Sequence, residues 1–73
     1  MGNTSPREGT AKAARAALGG ARISVSELVR RTGRSRNYWE PRLDGKAPMT
    51  VEDLLAISDE TGVTVTDLVR GAA

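Results

Sequence analysis

ISVSELVRRTGRSRNYWEPRLDG, residues 23 to 45, is the stretch whose reading decides the fold. Ser24, followed three residues later by Glu27, forms a capping box. The hydroxyl accepts from the amide of the third helical residue, and that residue's carboxylate returns a bond to the cap and suits the positive end of the helix dipole. Ile23 before the cap and Leu28 beyond it make a hydrophobic staple. Val25, Leu28 and Val29 then lie on one stripe, so a short amphipathic helix is expected over about 25–32, ended by Gly33. Ser35 can cap a second helix over about 36–43. Its leading residues Arg36 and Asn37 are polar, and Trp39 and Leu43, four apart, mark its buried side. A short helix, a tight turn and a second helix with a polar leading edge make a helix-turn-helix, here at about 24–44.

The front of this stretch is repeated. Ile23-Ser24-Val25-Ser26-Glu27-Leu28-Val29 is matched by Met49-Thr50-Val51-Glu52-Asp53-Leu54-Leu55 and by Val63-Thr64-Val65-Thr66-Asp67-Leu68-Val69. Each is a helix start, worth about 1 kcal/mol per cap, with aspartate the shorter and weaker return partner. The starts have no constant spacing, so no solenoid follows. Gly62 and Gly71 stand where helix-ending glycines belong, which predicts helices over about 51–61 and 65–70. Upstream, TAKAARAAL (10–18) is alanine-rich and helix-forming, with Thr10 as cap and Gly19-Gly20 as a stop that permits positive φ. Its face of Ala14, Ala17 and Leu18 is small, so close but weak packing is expected. Residues 1–9 carry nothing periodic and read as a flexible tail, leaving 10–73 as the domain. Pro41 is the discordant residue: at the sixth position of its helix it lacks the amide and crowds the Asn37 carbonyl, so a bend or break is expected there. The expected fold class is all-α, a compact bundle of about five short helices.

Composition narrows the function. The 73 residues contain no Cys and no His. Disulfides, thiolate metal sites and a nucleophile with its base are therefore not on offer, and no Gly-rich phosphate loop is present. Neither an enzyme nor a cofactor or small-molecule ligand is expected. No apolar run is long enough for a membrane span, and the chain reads as cytoplasmic. The net charge of +2 conceals an asymmetry: residues 1–46 carry ten Lys/Arg against four Asp/Glu, net +6, and residues 47–73 carry one against five, net −4. One positive face suits a polyanion.

Taken together, the run from Glu27 to Gly33, the polar opening after Ser35, the Leu43-Asp44-Gly45-Lys46 stop and the Thr61 to Leu68 ending resemble the lambdoid phage repressor and Cro family of DNA-binding domains. The resemblance covers roughly residues 23–71. It implies a lambda repressor-like fold, with the second helix of the motif in the major groove of double-stranded DNA. Arg36, Asn37 and Glu40 would then meet bases, since arginine pairs with guanine, asparagine with adenine, and glutamate accepts from cytosine. Phosphates would be met by Ser24 and Val25 at a helix N-terminus, and by Arg34, Ser35, Tyr38, Arg42 and Lys46. Trp39 reads as a core anchor. The resemblance further implies a small transcriptional regulator of bacterial or phage origin that occludes a promoter. Pairing into a homodimer would use the C-terminal helix with Val65, Leu68 and Val69, residues that could equally close the core. The alternatives are a protein-interaction module of the same fold, such as an antitoxin, and an excision or DNA-architecture factor.

Overall fold

In the computed structural model, residues 6–71 are described, and they form five α-helices: α1 (Pro6–Gly20), α2 (Val25–Thr32), α3 (Arg36–Leu43), α4 (Val51–Thr61) and α5 (Val65–Arg70). The protein is an all-α bundle. Its Cα radius of gyration, 11.2 Å, is about that of a close-packed chain of this length. Leu28, Trp39, Ile57 and Leu68, one from each of four helices, are fully buried and meet Ala14, Ala17 and Leu18 of α1 in one core.

The caps determine the starts. Ser24 and Thr50 both close capping boxes, the second through Asp53, whose Oδ2 accepts from the Thr50 amide at 3.0 Å. At Thr64 only half of the device forms. The hydroxyl accepts from the Asp67 amide, while the Asp67 carboxylate pairs with Arg70 at 3.3 Å. Two helices end alike. Thr32 and Thr61 each donate a hydroxyl to the carbonyl four residues back, at 2.7 Å, and each accepts from the amide two residues on. Gly33 and Gly62 follow in the left-handed conformation that glycine adopts without strain.

The N-terminal third differs from expectation. The helix begins at Pro6, not after Thr10, so residues 6–9 belong to α1; the rest of the expected tail lies outside the described residues. At the other end α1 continues through Gly19 and Gly20. The positive φ falls on Arg22 instead, at 58°, and Ile23 closes the turn by donating to the Leu18 carbonyl at 2.9 Å. This geometry buries both Leu18 and Ile23, which outweighs the roughly 1 kcal/mol that each helical glycine costs. Nor is α1 peripheral. It touches α3, α4 and α5, because Gly9, Ala11, Ala14 and Ala17 give it a small buried face that lets its neighbours come near.

Gly71 also differs in its reason for being glycine. Its φ of −60° needs no special residue. What it needs is the missing side chain: a β-carbon there would lie 2.6 Å from the Ala13 β-carbon and 3.0 Å from the Gly9 carbonyl oxygen. The end of α5 therefore rests directly on α1. Pro41 neither ends nor breaks α3, which runs on to Leu43. Its own carbonyl accepts from the amides of Lys46 and Ala47, at 2.8 and 3.2 Å, in the loop that follows.

Candidate nucleic-acid interface

Three residues, Gly33 to Ser35, join α2 to α3, and the two helices pack against each other. The Thr32 hydroxyl holds this corner. It accepts from the indole Nε1 of Trp39 at 2.9 Å while donating to the Leu28 carbonyl, so the buried tryptophan fixes the turn as well as filling the core. With Trp39 and Leu43 inward, helical periodicity sends Asn37 and Pro41 outward, flanked by Arg36 and Glu40 on one side and Tyr38 and Arg42 on the other. Arg34, Ser35, Arg36, Asn37 and Glu40 are all exposed.

The expected base-reading residues therefore share an outer surface, but two of them hold each other. Arg36 Nη1 lies 3.3 Å from Glu40 Oε2, and Arg36 Nη2 donates to Ser26 Oγ of α2 at 2.5 Å. Nothing local in the sequence points to Ser26, ten residues before Arg36; the contact is tertiary. Asn37 is exposed beside this pair.

The candidate phosphate groups divide in two. At the N-terminus of α2 the first four amides lack intrahelical acceptors. The capping box engages those of Ser24 and Glu27, the former at 3.5 Å to the Glu27 carboxylate and the latter at 3.1 Å to the Ser24 hydroxyl. The amides of Val25 and Ser26 remain at the helix end. Ser35 caps α3 by accepting from the Tyr38 amide at 3.1 Å, which leaves its hydroxyl proton able to donate. Arg34 and Lys46 are exposed.

Tyr38 and Arg42 belong to the second group, turned toward α4. The Tyr38 hydroxyl, expected on a phosphate, donates instead to Asp53 Oδ1 at 2.5 Å. Arg42 is only 22% exposed in its side chain; its Nε lies 3.3 Å from Asp53 Oδ2, and its Nη1 donates to the Tyr38 carbonyl at 2.8 Å. Its guanidinium also sits 3.7 Å from the centre of the Tyr38 ring, with that of Arg34 at 4.5 Å. Asp53, 2% exposed, thus joins α3 to α4 through three contacts: the capping box of α4, the tyrosine hydroxyl and the arginine. The hydrogen bond to Asp53, then burial and the nearby carboxylate charge, raise the Tyr38 phenol above its ordinary pKa, against the opposing pull of Arg34 and Arg42.

Arg31 is likewise occupied, paired with Glu27 at 3.4 Å and with Glu60 of α4 at 2.8 Å. Glu60 above all raises its pKa. Among the described residues no cluster of His, Cys, Asp or Glu is arranged to hold a metal, and no helix is long and apolar enough to cross a membrane. Comparison with protein-family models, with curated proteins and with solved structures finds no match.

Proposed function

We propose that this protein is a sequence-specific double-stranded DNA-binding regulator, non-enzymatic, in which α2 and α3 act as a helix-turn-helix. The observation that carries the reading is the leading edge of α3. Arg36 and Asn37 stand exposed on a helix anchored by Trp39, next to unengaged amides at the start of α2, in the basic part of the chain. Laid in a major groove, Arg36 would address guanine and Asn37 adenine. Arg34, Ser35, Lys46 and the Val25 amide would meet the flanking phosphates. Tyr38 and Arg42 serve the duplex indirectly, by tying α3 to α4 through Asp53. A small repressor or Cro-like protein that occludes a promoter is the fitting role.

The acidic part supports a protein contact in addition. Val51, Leu55 and Val69 are 69%, 49% and 48% exposed on α4 and α5, whereas Leu68, one of the three residues expected at a dimer surface, is sealed in the core. A homodimer through α5 would rest on Val69 and its surroundings. The same apolar residues favour the second reading, an interaction module of the antitoxin kind.

Titration with random-sequence duplex at two salt concentrations separates the two readings. Phosphate contacts require affinity to fall steeply with salt, by a slope of about −0.9 per phosphate neutralised. Lys46→Ala should weaken all duplexes alike, whereas Asn37→Ala should relax sequence preference. Absence of binding at low salt would overturn the proposal. Sedimentation at micromolar concentration, free and bound, tests the dimer, and a monomer in both states would remove it.

A further inference from the structure

Glu40 is the discordant group on the proposed reading surface, since a carboxylate entering a groove walled by phosphates is repelled. Its place in the structure supplies another role. Its Oε2 lies one helical turn from Arg36 and 3.3 Å from Nη1, while the other terminal nitrogen, Nη2, is bound at 2.5 Å by Ser26 from a different helix. The guanidinium is therefore gripped at two nitrogens from two directions, although both Arg36 and Glu40 are half exposed in their side chains. Arginine has five N–H donors in a rigid planar fork. These two contacts take two, and a bidentate contact to guanine O6 and N7 requires two of the three left. A long side chain already held in place loses less freedom when it binds.

We infer that Glu40 and Ser26 are positioning residues that set the Arg36 guanidinium for one guanine in the major groove, and that Glu40 reads no base of its own. The inference rests on the DNA-binding reading above.

Two measurements on the full chain test it. In the free protein, the Arg36 side-chain Nε–H signal in NMR should report an ordered group that becomes mobile in Glu40→Gln and in Ser26→Ala and stays ordered in Ser26→Thr, which keeps the hydroxyl. An Arg36 equally mobile in wild type and variants would overturn the grip whatever the protein binds. Sites are then selected from a random duplex library, with thermal melts confirming that each variant is folded. Wild type should favour guanine at one position, by about five- to a hundredfold for a bidentate contact. Arg36→Ala should abolish that preference, and Glu40→Gln and Ser26→Ala should each weaken it by roughly three- to tenfold, part of the discrimination that such a contact supplies, and leave the other positions unchanged. If Glu40→Gln instead loses preference at a second position and keeps the guanine, Glu40 is a base reader and the inference fails while DNA binding stands. A wild type that selects no sequence would overturn the DNA-binding reading itself, and with it the role given to the grip.

Discussion

Asp53 shows how much one buried carboxylate can organise. Isolated in an apolar interior it would be costly. Here the Thr50 amide and the Tyr38 hydroxyl donate to it and the Arg42 guanidinium balances its charge, so it fastens the Tyr38–Arg42 side of α3 to the start of α4. Tyr38 is the sole tyrosine of the chain, which makes the contact directly measurable. Spectrophotometric titration of its phenolate should give a midpoint above the ordinary value of about 10, and Asp53→Asn should bring it back toward that value. The bond contributes fully to folding below the ordinary phenol pKa and is lost as pH rises through the higher folded one. A wild-type midpoint at the ordinary value would show the hydroxyl to be free. The sequence announced half of this residue's role. The box from Thr50 to Asp53 is a local pattern, whereas the reach of Tyr38 across fifteen positions is a product of packing.

At the scale of the element, the same division holds. The starts of α2, α4 and α5 and the ends of α2 and α4 were legible because a cap is a hydrogen bond between residues two to four apart. The bounds of α1 were not. Residues 6–9 are already helical ahead of the expected cap at Thr10, and its end is decided by burying Leu18 and Ile23, a tertiary demand. Helical Gly19 and Gly20 have no atom within 4 Å of where a β-carbon would sit. Substituting either by Ala should therefore stabilise the fold by about 0.5–1 kcal/mol, seen as a higher thermal midpoint. Gly71→Ala should do the reverse, because the new methyl would collide with Ala13. Equal effects at positions 20 and 71 would contradict the packing described. Pro41 does not break its helix, since α3 continues past it with Trp39 and Leu43 both buried.

Across the whole molecule, α1 is what the sequence understated. Its small buried face reads as weak packing, yet in a chain without phenylalanine and with one tryptophan, close approach of backbones replaces bulk. The candidate surface was partly legible for a related reason. Exposed polar residues at the front of a capped helix can be read from order alone, so Arg36 and Asn37 stood out. Ser26 could not, and the inward engagement of Tyr38 and Arg42 depends on where α4 lies. By element the charge divides as it does along the sequence, with the excess of cations on α1 to α3 and the excess of acids on α4 and α5, and Arg31–Glu60 and Arg42–Asp53 pair the two parts.

The contact of Gly71 with Gly9 and Ala13 seats the end of the last helix on the first half of the first, so the path of the backbone from Gly9 to Gly71 comes close to being a ring. A short linker could therefore close this path. A head-to-tail cyclised form should keep the fold and gain up to about 4 kcal/mol by restricting the unfolded chain, read as a raised thermal midpoint with an unchanged helical spectrum.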